Sequence, residues 1–123
     1  MEPKRKVTQE RLDDLAKMVY RILKEEKPWK ERSYSQMLLA RRMDISPHLL
    51  TRVLSESIHK NLTILLNDFR VREAADILER HPEMRAKDVA AKVGFGSADG
   101  LRKNWNQRHA TKYPTERKPK SKT

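Results

Sequence analysis

Apolar residues recur every three or four positions along most of the chain, which is the period of an amphipathic helix. The first such stretch runs from Thr8 to about Glu26, where Thr8 is a suitable N-cap and Lys27-Pro28 ends the pattern. Its apolar stripe consists of Leu12, Leu15, Ala16, Val19, Ile22 and Leu23. We therefore predict a first helix that forms core and carries no chemistry of its own.

Two short helices are predicted next. The first covers about Ser35 to Arg42. The second follows Ser46-Pro47, an N-cap with proline at the first helical position, and extends to about Ser57. Because only a few residues separate them, the pair is a helix-turn-helix candidate.

Three further helices complete the pattern. The longest opens at Asn61 and covers 61–79. A fifth covers 86–93 and ends at Gly94, and a sixth begins after the N-cap Ser97. With three glycines in the whole chain and little strict alternation, the pattern is typical of an all-α fold.

An internal repeat relates the two short-helix pairs. Segment 39–45 aligns with 89–95, and segment 50–54 aligns with 101–105. Both copies place a small alanine, Ala40 or Ala90, where two crossing helices approach closely. A second helix-turn-helix unit is therefore predicted after the long helix. A linker of about 18 residues spans roughly 27 Å, against the ~34 Å that separates helix-turn-helix units on one face of DNA.

Charge adds a candidate partner. The chain carries 28 Lys+Arg against 17 Asp+Glu, a net charge of +11. Eight of these basic residues and a single acid fall after residue 100. A basic cluster beside structured segments indicates a polyanion, usually nucleic acid, although a solvated tail is the alternative for 118–123.

Composition excludes several function classes. The chain has no cysteine, so disulfides, thiolate zinc sites and a cysteine nucleophile are ruled out. No apolar run approaches the ~20 residues that span a bilayer. The four histidines are scattered and no glycine-rich phosphate loop is present, so nothing indicates an enzyme, a cofactor or a bound metal.

The sequence resembles the DNA-binding region of the AraC/XylS family of bacterial transcriptional regulators over about 33–117. The residues that carry the resemblance are Leu39-Ala40, Ser46-Pro47, Leu50-Thr51-Arg52, the stretch 67–78 (NDFRVREAADIL), Val89-Ala90, Val93-Gly94-Phe95-Gly96-Ser97, Leu101, Trp105, Pro114 and Arg117. The resemblance implies two homeodomain-like helix-turn-helix subdomains joined by a long linker helix, recognising promoter DNA. The sequence departs from the family at Leu54, His59, Gly100 and Thr111.

The predicted organisation follows from these elements. It consists of an N-terminal tail and first helix (1–34), a first helix-turn-helix (35–58), the linker helix (61–80), a second helix-turn-helix (85–108) and a basic C-terminal tail (109–123).

Candidate base contacts lie on the two recognition helices. Leu50, Val53 and Leu54 are expected to face the core of the first unit, and by resemblance His48, Thr51 and Arg52 face the bases. Arginine can form a bidentate pair of hydrogen bonds with guanine O6 and N7. Threonine can contact a base through its hydroxyl or, on thymine, through its methyl group. An ion pair with Glu56 is the alternative for Arg52. On the second helix the outward candidates are Asp99, Arg102 and Lys103.

Other residues are candidates for contacts with the phosphate backbone of DNA or for structural roles within the protein. The phosphate candidates are Arg41, Arg42, Ser55, Lys60, Lys92, Lys112 and Arg117, each with a solvated side chain as the alternative. Arg70 is expected to tie helices together rather than touch bases. Trp29, Tyr34 and Trp105 are expected to pack in the core, with stacking on bases as the alternative. Met37 and Leu38 either pack against the first helix or, if exposed, contact a partner.

The function that we expect is sequence-specific binding of double-stranded DNA that regulates transcription, as the output domain of a larger sensor protein. The alternative is a non-specific DNA-binding or protein–protein interaction module with a basic surface. Candidate partners besides promoter DNA are RNA polymerase, a sensor domain and a second protomer. The expected location is the cytoplasm, in association with the nucleoid.

Overall fold

The computed structural model describes residues 7–109 and 111–114. Its elements are α1 (Gln9–Glu26), a short 3-10 turn (Pro28–Lys30), α2 (Gln36–Met43), α3 (Pro47–Val53), a π-helical turn (Leu54–Ile58), α4 (Leu62–Arg80), α5 (Ala86–Val93) and α6 (Ala98–Arg108). The all-α fold class predicted from the sequence is confirmed. None of the helices in these residues has the length and apolar character needed to cross a membrane.

The predicted caps of α1 and the predicted N-cap of α4 are present in the structure. Thr8 Oγ1 accepts a hydrogen bond from the Arg11 amide at 3.1 Å, and α1 ends at Lys27 in a left-handed conformation, φ 53°. Asn61 Oδ1 accepts from the Ile64 amide at 2.9 Å at the start of α4. These side chains satisfy amides that a helix leaves without an internal partner.

The described residues form two compact units. Unit 1 contains 7–28 and 33–65, and unit 2 contains 29–32, 66–109 and 111–114. The division falls inside α4, so the linker helix begins in one unit and continues in the other.

The core of unit 1 is built on α1. All six residues of the predicted apolar stripe are buried, as are Leu39, Leu50 and Val53 of the following helices. α1 packs against α3 and against the π-helical turn that follows it.

The third helix differs from the expectation of one regular helix to about Ser57. It leaves α-helical geometry at Val53, and its continuation widens into the π-helical turn. Two contacts from α1 hold this turn: Ser57 Oγ donates to Asp13 Oδ1 at 2.5 Å, and Gln9 Nε2 donates to the Glu56 carbonyl at 3.2 Å. The hydrogen bond from Ser57 lowers the pKa of Asp13 below its ordinary value.

Unit 2 contains a buried arginine. Arg70 on α4 is 7% exposed and donates to the Trp29 carbonyl at 2.7 Å and the Glu31 carbonyl at 3.1 Å. A further bond to Asn67 Oδ1 at 2.9 Å orients the guanidinium, and burial lowers its pKa. Arg70 thus ties α4 to the segment after α1, as predicted.

Candidate nucleic-acid interface

The two predicted helix-turn-helix units have the same turn. In unit 1 the amide of Ile45 donates to the Ala40 carbonyl at 3.0 Å, and in unit 2 the amide of Phe95 donates to the Ala90 carbonyl at 2.9 Å. Both alanines are 1% exposed, as close helix packing requires.

The residues that end and restart the helices also correspond. Asp44 (φ 59°) and Gly94 (φ 101°) both adopt positive φ at the helix C-caps. Ser46 Oγ accepts from the Leu49 amide at 3.0 Å, and Ser97 Oγ accepts from the Gly100 amide at 3.0 Å. The repeat seen in the sequence is therefore a repeat of local structure within each unit.

The first recognition helix, α3 with its π-helical continuation, presents two distinct faces. Leu50, Val53 and Leu54 are buried, as predicted. The four candidate DNA contacts on this segment, His48, Thr51, Arg52 and Ser55, are all exposed. A protein surface or a groove of DNA can therefore reach them without any rearrangement of the core.

Arg52 forms the ion pair with Glu56 that the spacing allows. Its Nε lies 2.9 Å from Glu56 Oε2 and its Nη2 lies 3.0 Å from Oε1, a bidentate arrangement on an exposed helix face. This hydrogen bonding raises the pKa of Arg52 and lowers that of Glu56. The pair holds the guanidinium against the recognition helix, and both side chains remain exposed to solvent.

An open surface pocket of about 440 Å³ lies beside this helix within unit 1. It brings together one candidate base contact, Thr51, and two candidate phosphate contacts, Ser55 and Lys60. The residues that line it are Gln36, Thr51, Leu54, Ser55, His59, Lys60 and Asn61. His59 closes the π-helical turn with φ 63°, the left-handed conformation for which glycine is better suited.

The second recognition helix, α6, buries Leu101 and Trp105 and exposes Asp99 and Lys103. Arg102 Nη1 lies 3.3 Å from Asp99 Oδ1, one helical turn away. The aspartate side chain is 96% exposed. The three candidates therefore share the outer side of the helix.

Arg108, at the end of α6, has a structural role that the sequence did not reveal. Counted among the basic residues after residue 100, it forms a largely buried ion pair through Nε with Asp68 of α4, each side chain being 17% exposed. Its Nη1 also donates to Asn104 Oδ1 at 2.9 Å. The 40 residues that separate Arg108 from Asp68 leave no local spacing that could signal the pair.

The candidate phosphate contacts have different environments. Arg41, Lys92 and Lys112 are exposed, while Arg42 pairs with Glu26 at the end of α1. Hydrogen bonding between these two groups raises the pKa of Arg42 and lowers that of Glu26. Arg117 lies outside the described residues.

Two of the three aromatic candidates, Trp29 and Trp105, belong to the core of unit 2. Trp29 is 2% exposed and stacks on Phe69, with ring centroids 6.3 Å apart, while Trp105 is 7% exposed. Tyr34 is half-buried. By contrast, Met37 and Leu38 on α2 are 58% and 43% exposed, so neither belongs to the core.

Comparisons with known proteins bear on this arrangement. A family model described as "Helix-turn-helix domain" matches residues 39–115. A solved structure titled the C-terminal domain of AraT, a response regulator from Geobacillus stearothermophilus, is similar at 18% identity with a TM-score of 0.68, over 83% of this chain and 82% of that one.

A second solved structure has the same kind of title. The C-terminal domain of the two-component response regulator yesN from Fusobacterium nucleatum subsp. nucleatum ATCC 25586 is similar at 16% identity with a TM-score of 0.61, over 76% of this chain and 96% of that one. A search of curated proteins returned no match. At these identities the two solved structures support the fold.

Proposed function

The chain belongs to the AraC-type helix-turn-helix family of DNA-binding transcription regulators, and from this premise we propose that it reads double-stranded promoter DNA with two recognition helices in successive major grooves. The observation that carries the proposal is the repeat of turn, cap and outward polar pair, Thr51-Arg52 in one unit and Arg102-Lys103 in the other. A protein–protein interaction module would not require a polar pair at the same position on the second helix of each helix-turn-helix unit.

The dimensions of α4 support the two-groove geometry. The helix has 19 residues, and at 1.5 Å per residue such a helix is about 28 Å long, comparable with the ~34 Å repeat of the major groove. In this proposal His48, Thr51, Arg52, Arg102, Lys103 and Asp99 read bases, while Arg41, Arg42, Ser55, Lys60, Lys92, Lys112 and Arg117 contact phosphates.

The biological setting is part of the proposal. Both similar solved structures are titled as C-terminal domains of response regulators, which supports a role as the output end of a sensor protein. RNA polymerase, a sensor domain and a second protomer are then the further partners, and the location is the cytoplasm at the nucleoid.

The experiment that tests the proposal is a binding selection from a random duplex library, followed by affinity measurements against salt concentration. We expect two short enriched motifs about one helical turn apart. Salt-sensitive binding without an enriched motif would contradict sequence-specific recognition and favour a general DNA clamp. Absence of DNA binding at moderate salt would leave the protein–protein interaction module.

Arg52→Ala is expected to weaken binding to the selected duplex roughly 10- to 100-fold and to relax the preference at one base pair, because a bidentate contact to guanine is lost. Binding to random DNA should fall much less. The measurement is a fluorescence anisotropy titration on selected and random duplexes.

Two variants control this prediction. Arg21→Ala removes the same charge from an exposed position on α1 and should change both affinities little. Glu56→Gln releases Arg52 from its ion pair and removes a carboxylate from the interface, so it should preserve or strengthen binding. An equal loss on both duplexes for Arg52→Ala would contradict base reading by this residue.

Lys112→Gln is expected to weaken selected and random duplexes by the same factor and to reduce the slope of log K against log salt by about 0.9, the value for one phosphate contact. Lys17→Gln, at an exposed position of α1, is the matched control and should leave the slope unchanged. A slope for Lys112→Gln equal to that of the control would remove Lys112 from the phosphate contacts.

A further inference from the structure

Gln36, the first residue of α2, contacts the recognition helix of unit 1 at two points. Its Nε2 donates to Thr51 Oγ1 at 2.7 Å and lies 3.4 Å from the Pro47 carbonyl. Thr51 Oγ1 in turn donates to the same Pro47 carbonyl at 3.1 Å, one turn earlier in α3. The three groups form a closed polar triangle at the base of the exposed recognition face.

The direction of each hydrogen bond follows from the chemistry of the groups. A carbonyl oxygen only accepts, so the Gln36 amide presents its NH₂ end toward Pro47 and Thr51. Thr51 Oγ1 therefore accepts from Gln36, and its single hydrogen is directed to Pro47. The hydroxyl has no second proton, so it has no donor left to offer to a base, and Gln36 already occupies one of its two acceptor lone pairs.

With Oγ1 fixed on both sides, the Thr51 side chain is held in one staggered rotamer. The methyl group is then the part of this exposed side chain without a polar role, and it is held in a constant direction. Methyl groups of this kind recognise the C5 methyl of thymine, which is unique to the T edge of the major groove.

We propose that Gln36 is a positioning residue that locks the Thr51 hydroxyl away from the DNA, so that Thr51 selects thymine through its methyl group. The proposal rests on the proposed function, because it needs α3 in a major groove. The proposal assigns Thr51 a methyl contact with the base in place of a hydroxyl contact, a choice that the sequence alone leaves open. It also adds to the specificity determinants a residue that lies outside the recognition helix.

The test begins with the duplex selected by the unmodified chain. Each thymine is replaced singly by deoxyuridine, which removes only the C5 methyl, and the dissociation constant is measured. We expect one position at which uracil weakens binding about fourfold, the effect of exposing one buried methyl group. Thr51→Ser should abolish this sensitivity, and Thr51→Val should retain it.

Gln36→Leu separates positioning from general structure. Without the amide the Thr51 hydroxyl keeps only its hydrogen bond to the Pro47 carbonyl, so the side chain is held less firmly in its rotamer. The uracil sensitivity and the preference for thymine at that position should then fall, while binding to random DNA stays nearly unchanged. Adding Thr51→Val to Gln36→Leu should restore both, because a helical valine holds one rotamer without a partner. A purely structural role of Gln36 would not be rescued in this way.

The outcomes distinguish the two proposals. No enriched motif in the selection would overturn the proposed function, and this inference with it. If a motif is enriched but none of its thymines shows a uracil sensitivity that depends on Thr51, the positioning inference alone is overturned. Loss of thymine preference in Gln36→Leu without rescue by Thr51→Val would also overturn it.

Discussion

Replacing Arg70 with methionine is expected to lower the free energy of unfolding of unit 2 by about 3 kcal/mol. The guanidinium is 7% exposed and donates to the carbonyls of Trp29 and Glu31. Methionine fills a similar volume but donates nothing, so both carbonyls lose a charged partner where water is scarce. The segment 29–32 then loses the two hydrogen bonds that it receives from Arg70 of α4.

Urea unfolding followed by tryptophan fluorescence is the appropriate measurement, because both tryptophans of the chain, Trp29 and Trp105, belong to unit 2. Arg72→Met is the matched control. That arginine is exposed on the same helix, with its guanidinium 5.0 Å from the centroid of the Phe69 ring, and its loss should cost less than about 1 kcal/mol. Equal effects of the two substitutions would show that the buried hydrogen bonds of Arg70 contribute nothing.

Much of the fold could be predicted because it is encoded locally. The apolar stripe of α1 and the caps Thr8, Ser46 and Ser97 each depend on residues within one or two turns of the helix. Such signals are visible in the sequence without knowledge of what packs against the helix. The buried face of the first recognition helix followed from the same periodicity.

The features that could not be predicted join residues far apart in the chain. The π-helical turn is held by Ser57 and Asp13, which are 44 residues apart, and no propensity of either residue encodes that contact. The same holds for Arg108 with Asp68, where a charge counted toward a DNA-binding cluster is instead committed to the fold.

The candidate interface could be predicted from the sequence only in part. Which side chains are exposed could be predicted from the sequence, but what each polar group is already bonded to could not. Gln36 shows the consequence: its hydrogen bond to Thr51 crosses between helices and engages a hydroxyl that the sequence left as a possible base contact.

Gly94→Ala is the second substitution with a large expected effect, a loss of about 3 kcal/mol from the free energy of unfolding of unit 2. Gly94 ends α5 with φ 101°. A Cβ at this position would lie 2.3 Å from the Trp29 carbonyl oxygen and 2.9 Å from Arg70 Nε. The added methyl group is therefore strained by the backbone angle and also displaces the segment that Arg70 holds.

The equivalent residue of unit 1 shows why the turn alone does not require glycine. Asp44 occupies the same C-cap with φ 59° and ψ 45°, a left-handed conformation that an aspartate tolerates. In unit 2 the close approach of the Trp29 backbone adds a second constraint, so Gly94→Asp, which installs the residue of unit 1, should destabilise at least as much as alanine.

Gly100→Ala is the control for the same chemical change: its Cβ would meet only Ser97 Oγ, at 3.4 Å. Because Gly100 lies inside α6, alanine there should raise the free energy of unfolding by up to about 1 kcal/mol. If alanine at 94 were as well tolerated as alanine at 100, the contact between the turn and the Trp29 backbone could not be a determinant of stability in unit 2.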